Sequence, residues 1–468
     1  MNLPKVYMQN EIQTKLDAIV IGAGLTGLTT AHTLKKRGKR VVVIEKEQRV
    51  GGQIHTYQQG DYTFESGPNT GVVSYPEVAE LFHDLAQWGC SLEEAHEEAR
   101  QRWIWKGTKF HAIPSSLIGA VRTPLFTWRD KFGILGEPFR RKGTNPDEDV
   151  ASMAVRRLGK SYLDYAVDPF VSGVYAGNPH TLITRFALPK LYNLEQNYGS
   201  FIRGGIAKSK EKKSERERLA TKKVFSAVGG LSRLTEALAQ SVGESNIILG
   251  AKEVVVTPMN GQWQVSYKTA TGETISLCSQ HVITTVGAYA LKTMLPFVEE
   301  ADMAAISALR YAPIIQVSVG LSDAHGVENK AFGGLIPTCE KQPFLGILFP
   351  SACFSQRCPT AGALYSFFIG GTNHPEMLDK TDAKLQQMVC KGLTTMLGLP
   401  ANVQPDMIRI FRHERAIPQY ELSSGARFEA VNRIEQAHKG LIIGGNLRDG
   451  IGMADRIRQA VRMGSQLA

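Results

Sequence analysis

The stretch Asp17 to Gly52, DAIVIGAGLTGLTTAHTLKKRGKRVVVIEKEQRVGG, constrains the fold more than any other part of the chain. Ala18 to Ile21 is a short apolar run with the composition of a buried parallel strand. Gly22, Gly24 and Gly27 follow at the G-x-G-x-x-G spacing, with Ala23, Leu25 and Thr26 between them. The amphipathic stretch Leu25 to Lys36 predicts a helix, and Gly38 is placed to cap it. Arg40 to Ile44 predicts a second strand that runs into Glu45. This is a βαβ unit in which each glycine serves a physical purpose. One makes a tight turn, one lets the backbone approach a pyrophosphate, and one allows close helix–strand packing. The helix N-terminus offers free N–H groups and a positive dipole end to phosphate. Glu45 stands about 20 positions after the first glycine, where a carboxylate accepts hydrogen bonds from a ribose diol.

The continuation adds Lys46, then Arg49-Val50-Gly51-Gly52-Gln53 and Thr56. A second glycine pair at this place resembles the extended FAD fingerprint of the amine oxidase and protoporphyrinogen oxidase flavoprotein superfamily. The resemblance favours FAD over a nicotinamide cofactor. A second glycine-rich turn lies far away, in Leu441-Ile-Ile-Gly-Gly-Asn446 followed by Gly450-Ile-Gly-Met453. It reads as strand, turn and helix, and suggests a cofactor lying between two chain segments. A plain strand–helix turn is the alternative.

Between these ends the pattern changes several times. Asp61 to Thr70 reads as a strand turning at Gly67-Pro68, and Tyr75 to Trp88 has helical spacing with Val78, Leu81, Phe82 and Leu85 on one face. Arg102 to Trp105 predicts a strand. From Ser115 to about Lys223 the chain reads as helical. There Leu117, Ile118, Val121, Trp128 and Phe132 interleave with Arg122, Arg129 and Lys131, ahead of Arg140-Arg141-Lys142. This pattern fits an interfacial membrane patch or an ordinary amphipathic helical surface. Lys208 to Lys223 predicts a solvated helix or loop. Strands are then expected over Lys252–Thr257, Gln262–Tyr267, Glu273–Leu277 and His281–Val286, with turns at Asn260-Gly261 and Thr271-Gly272. Met1 to Lys15 reads as a short extension.

The chain has 468 residues and a formal net charge of +10. That length suggests two or three domains. The first fifteen residues lack the apolar core of a secretory signal, and the sequence holds no apolar run near the ~18 residues of a membrane span. Six cysteines are scattered without C-x-x-C pairs, which argues against a metal site and fits a reducing compartment. A cytoplasmic protein, peripheral on the inner face of the membrane, is the expected setting. The basic charge has no aromatic–basic motif beside it that would make it nucleic-acid binding.

Several blocks resemble the oxygen-dependent, FAD-containing protoporphyrinogen oxidase family. They are Glu65-Ser-Gly-Pro-Asn-Thr70, Phe170-Val-Ser-Gly-Val-Tyr-Ala-Gly-Asn-Pro179, Leu194-Glu-Gln-Asn197, Ala331-Phe-Gly-Gly-Leu-Ile-Pro337 and the closing Gly445–Met453 segment. The resemblance implies an α/β fold with a discontinuous Rossmann-like FAD-binding domain (1–97, 224–298 and 430–468). It also implies a mixed α+β substrate domain (98–112 and 299–429) and a helical membrane-contacting domain (113–223). By the same resemblance Gly22 to Gly27, Glu45, Lys46, Arg49, Gly51, Gly52 and Gln53 meet the cofactor, as do Gly67, Pro68, Asn69 and Thr70. Val254 holds the adenine through its backbone, and Gly445, Asn446, Ile451, Gly452 and Met453 close over the flavin end. Arg102 is expected to pair with a substrate propionate, Phe332 to pack on the tetrapyrrole, and Gly173 to approach a pyrrole.

The implied reaction is six-electron oxidation of protoporphyrinogen IX, with O2 reduced to hydrogen peroxide, in haem biosynthesis. A flavin suits three two-electron steps and carries the hard chemistry. No acid/base dyad or metal centre is therefore expected, and the substrate should need an apolar cleft with an arginine at its mouth. The same motifs admit a coproporphyrinogen III oxidase. An amine oxidase, a carotenoid desaturase and a non-catalytic carrier of the same fold are more distant readings. The resemblance also allows a homodimer and a hand-off of product to a ferrochelatase.

Overall fold

A computed structural model describes residues 16–467; the extension over Met1–Lys15 lies outside them. Leu16–Ile21 forms the central strand and Leu25–Lys36 the glycine-led helix, with Gly38 at φ +74° just beyond its end. Val41–Ile44 returns parallel to the first strand. Ala18 and Val20 enter one apolar cluster with Leu28, Leu34 and Leu238, while Ile19 and Ile21 enter another with Val256, Ile306 and Val431. Both faces of the strand are covered, so its sequence is continuously apolar rather than alternating.

Three distant stretches build this sheet. Its order is Ile247–Ile248, Val41–Ile44, Leu16–Ile21, Thr274–Thr284, Gln262–Lys268, Lys252–Met259, and Leu441–Ile443 also pairs with Thr274–Thr284. Where two strands were expected over Glu273–Leu277 and His281–Val286, one strand runs unbroken from Thr274 to Thr284. No glycine or proline interrupts Cys278-Ser279-Gln280. The buried Ser279 hydroxyl, which reads as a break, donates to the His281 carbonyl at 2.7 Å. The strand's first half belongs to an antiparallel meander and its second half to the parallel core.

A second sheet has the order Met407–Pro418, Tyr311–Leu321, Ala363–Gly370, Gly346–Leu348, Gly333–Leu335, Arg102–Lys106 and Lys109–Ala112. The two sheets meet through the Tyr62–Glu65 strand and the turn after it. Gln316 donates to the Glu65 carbonyl at 2.6 Å, and the Ser366 hydroxyl to Asn69 Oδ1 at 3.0 Å. Between Ala112 and Val224 the elements are helical, and no helix of the described residues is long and apolar enough to cross a membrane.

That helical region is centred on buried charge. Glu137 and Arg157 are fully buried and paired, and Glu137 also accepts from Ser200 and from the Phe201 amide at 3.0 Å. Arg156 bridges Glu148 at 2.6 Å and Glu195 at 2.7 Å. Burial alone pushes the Glu137 carboxyl up, but its bonds from Ser200, Phe201 and Arg157 outweigh this and hold it below the usual range. The folded state therefore binds this proton more weakly than the unfolded chain. Its contribution is present above the unfolded value of about 4.5 and is lost as pH falls through the lower folded value. Removing one partner of a buried pair costs about 3–5 kcal/mol. Arg157→Leu is expected to lower the Tm measured by circular dichroism at pH 7, and the deficit should shrink on acidification as Glu137 takes up a proton.

Candidate active site

The carboxyl ends of four parallel strands are in register. Ile44 pairs with Ile21, Ile21 with Thr284, and Thr284 with Ile443. The next residues, Glu45, Gly22, Thr285 and Gly444, therefore leave the sheet along one edge, where ligands bind in parallel α/β sheets. Gly22 takes φ +104°, and a Cβ on Gly27 would lie 1.8 Å from the Gly22 carbonyl oxygen. Any side chain at residue 27 would push the helix off the strand. Gly24 caps the helix without a side chain, leaving the first-turn amides of Leu25 and Thr26 open to an anion.

Glu45 is buried beside this turn. One of its oxygens accepts the Ala23 amide at 2.7 Å and the other the Glu47 amide at 3.0 Å. Each oxygen keeps a lone pair for a hydroxyl. The Glu45 backbone bonds to Ile248 and Ala251, which carries the following strand to the site. There the ladder slips between Lys252 and Val255, so Glu253 and Val254 fall outside the regular pairing. A bulge of this kind frees backbone groups for a ligand. Lys46 instead faces solvent and pairs with Glu47 at 3.4 Å.

The second glycine pair packs on the first. The Gly51 amide donates to the Ala23 carbonyl at 2.8 Å, and a Cβ on Gly52 would lie 3.2 Å from Gly24 Cα. Arg49 donates to the carbonyls of Val50, Gly52 and Ile54 at 3.0, 2.8 and 3.2 Å, holding the loop in shape. Gln53 has an exposed side chain, and a Cβ on Gly67 would sit 2.1 Å from its carbonyl oxygen. Pro68 and Thr70 are half-buried, while Asn69 is buried with its amide donating to Gly67. Next to them the buried Glu65 carboxyl accepts from the Leu231 amide and the Thr56 hydroxyl, each at 2.8 Å, and burial pushes it up to about 7.

Thr285 joins the two ends of the chain and escaped sequence reasoning. Its hydroxyl oxygen lies 2.8 Å from a Cβ placed on Gly22 and 2.9 Å from one placed on Gly27, and its carbonyl 2.8 Å from one placed on Gly445. The only sequence signal was its place at the end of an apolar strand. Beyond it, Asn446 and Ile451 are half-buried, Gly452 caps the helix Met453–Gln466, and Met453 is buried in the core on the glycine-helix side of the sheet.

The substrate-side residues come from the second sheet. Trp103 and Trp105 point into its core with Ile315 and Phe367, so Arg102 and Ile104 face the opposite side. The pairing Ile104–Leu335–Gly346–Phe368–Gln316 runs across that side, and Arg102–Gly333–Leu348–Ser366 runs beside it. Leu335, Leu348 and Phe368 are half-exposed, and Phe368 is the sole residue of Ala363–Gly370 that is not buried. A Cβ on Gly173 would lie 2.4 Å from Leu335 Cδ2, so the helix Asp168–Tyr175 crosses this floor at its one glycine. Arg102 is exposed, pairs with no carboxylate among the described residues, and lies 5.6 Å from the Phe332 ring centroid. Phe332 itself packs against Ala99, Cys353 and Phe354 at the rim. Leu335, Leu348 and Phe368 were not singled out from sequence, because register alone brings them together.

A dinucleotide edge beside an apolar floor defines a flavoprotein oxidoreductase of the amine oxidase type. Residues 25–446 match the model of the flavin containing amine oxidoreductase family, and the chain belongs to it. FAD is the cofactor of this enzyme, and the residues described fit it: open helix-start amides suit a pyrophosphate, and the Glu45 carboxylate with free lone pairs suits a sugar diol. Among named proteins, the chain is 28% identical to Arabidopsis thaliana protoporphyrinogen oxidase 2, over 94% of this chain and 91% of that one. It is 28% identical to human protoporphyrinogen oxidase, over 94% and 95%. A candidate protoporphyrinogen oxidase from Exiguobacterium superposes with TM-score 0.79 at 19% identity, over 97% and 99% of the chains. A UDP-galactopyranose mutase does so at 0.72 and 16%, over 97% and 93%. These structural likenesses show the fold.

Gly27→Ala tests the edge. The purified variant is expected to lose most of its flavin absorbance relative to protein, and wild-type flavin content would contradict the close approach.

Proposed function

We propose that this enzyme oxidises protoporphyrinogen IX to protoporphyrin IX. The observation that carries the reading is the apolar floor of Leu335, Leu348 and Phe368, with a carboxylate-free arginine at its rim and the Asn69–Ser366 contact tying it to the cofactor edge. A flat tetrapyrrole with propionates on its margin matches that chemistry, and the near full-length likeness to named protoporphyrinogen oxidases supports it. Bound FAD supplies two-electron redox chemistry, so three rounds remove six electrons and six protons while three O2 become three H2O2.

The chain's own residues bind and orient. Helix-end amides near Gly24 and Leu25 take the pyrophosphate, Glu45 takes the ribose, and Val254 offers its backbone to the adenine. Gly67 to Thr70 and Gly445 to Met453 line the flavin end. Arg102 holds a propionate with its guanidinium braced on Phe332, and Gly173 leaves room for a pyrrole above Leu335. The apolar floor excludes water from the reacting carbon.

We assign residues 1–97, 224–298 and 430–468 to FAD binding, and 98–112 and 299–429 to substrate binding. The helical stretch 113–223 supports a peripheral membrane contact: Trp128, Phe132, Leu135 and Phe139 are 59, 67, 65 and 82% exposed. Arg122, Arg129 and Arg141 are exposed along the same stretch, and basic side chains beside exposed aromatics suit an anionic bilayer surface.

The deciding experiment offers protoporphyrinogen IX and coproporphyrinogen III separately, following porphyrin fluorescence and peroxide. Protoporphyrin formation with the higher kcat/KM is expected. A preference for coproporphyrinogen III would reassign the substrate, and failure with both would remove porphyrinogens altogether. Arg102→Ala is expected to raise KM about tenfold or more, as loss of a charge-assisted pair does, with a smaller change in kcat; an unchanged KM would take Arg102 out of the site.

A further inference from the structure

The loop Gly445–Gly450 is held from behind by side chains that reach its carbonyl oxygens. Arg456 donates to Gly445 and, at 2.9 Å, to Arg448, which also accepts from Gln459 at 3.3 Å. Arg427 Nε donates to Leu447 at 2.9 Å. The Tyr420 hydroxyl shares its proton between Asn446 at 3.0 Å and Gly450 at 3.1 Å, and accepts the Gly450 amide at 3.0 Å. All four side chains are buried, and neither arginine pairs with a carboxylate among the described residues. Two buried guanidinium charges are thus directed at peptide oxygens.

In a trans peptide the carbonyl of one residue and the amide of the next point in opposite directions. Pulling back the carbonyls of Gly445, Asn446 and Gly450 therefore turns the amides of Asn446, Leu447 and Ile451 the other way. Those three amides make no hydrogen bond to a described residue. They leave the loop whose first residue backs onto Thr285, and Thr285 backs onto Gly22 and Gly27.

The clamp is also rooted in the substrate side. The Tyr420 carbonyl accepts the Ile183 amide at 3.0 Å, and Gln419 donates to the Tyr175 carbonyl at 2.8 Å, two residues beyond Gly173. Tyr420 packs among Val171, Tyr175 and Leu182. We propose that Tyr420 is a positioning residue that sets the flavin-facing amides of Gly445–Ile451 and locks them to the helix carrying Gly173. This rests on the reading of that loop as part of the FAD site. Burial raises the Tyr420 hydroxyl to about 12, so it stays protonated and able to donate at any working pH.

Tyr420→Phe keeps the ring and removes the oxygen that serves three backbone groups. Apoprotein titrated with FAD should show a dissociation constant raised roughly 3- to 10-fold, the size of one such lost bond. The loaded variant should also show a shifted flavin absorption band and a lower kcat at little-changed KM. A lower Tm with wild-type FAD affinity and an unshifted band would mean that Tyr420 only packs, and would overturn the proposal. If the phenylalanine variant fails to fold, Arg427→Lys, which cannot reproduce the planar donor at Leu447, should give the same weakening; wild-type affinity there would likewise overturn it. Wild-type apoprotein that binds no FAD would instead defeat the cofactor reading itself.

Discussion

The contact on which the molecule turns is that of Gly27 with the carbonyl of Gly22. It allows a helix to start almost in touch with the end of the central strand, so that its free amides stand over the edge of a parallel sheet. The register of Ile44, Ile21, Thr284 and Ile443 then delivers Glu45, Gly22, Thr285 and Gly444 to that edge together. Residues as far apart in sequence as Gly22 and Gly444 become one site because four strand ends are level. A methyl group at residue 27 would separate the helix from all of them.

The second sheet matters through its attachment to this edge. Gln316, Ser366 and His413 hold the backbone or side chains of Glu65, Asn69 and Ser66, so the turn that closes the cofactor edge is also the border of the apolar floor. On the proposed reading, substrate and cofactor share a wall and need no moving domain to bring them together. Burying the Glu65 carboxyl in that wall, away from water, raises its proton affinity, and the Leu231 amide and Thr56 hydroxyl offset only part of that rise. The Gln419–Tyr420 pair makes a further tie, between the Gly445–Gly450 loop and the helix Asp168–Tyr175.

The cofactor half was legible in sequence to the degree that its signals are local. Glycine spacing, an apolar strand on each side and Glu45 lie within one short stretch, and the helix Leu25–Lys36 formed with the bounds that its spacing predicts. The floor was not legible in the same way. Gly346 separates Leu335 from Phe368 only after three short strands have paired, and nothing in any one of them fixes that register. Thr285 is a further case, since its neighbours Gly22, Gly27 and Gly445 come from both ends of the chain. The strand Thr274–Thr284 ran through an expected break because tertiary pairing on both sides outweighed a local polar triplet.

On the proposed reading, the apolar floor delivers a porphyrinogen to a flavin held at the strand edge. Mixing FAD-loaded protein with protoporphyrinogen IX in the absence of oxygen measures this directly, through the absorption band of the oxidised flavin. The predicted result is loss of that band on mixing, and its return with formation of peroxide when oxygen is admitted. A band that persists after mixing, in protein whose FAD is fully bound, would contradict the claim.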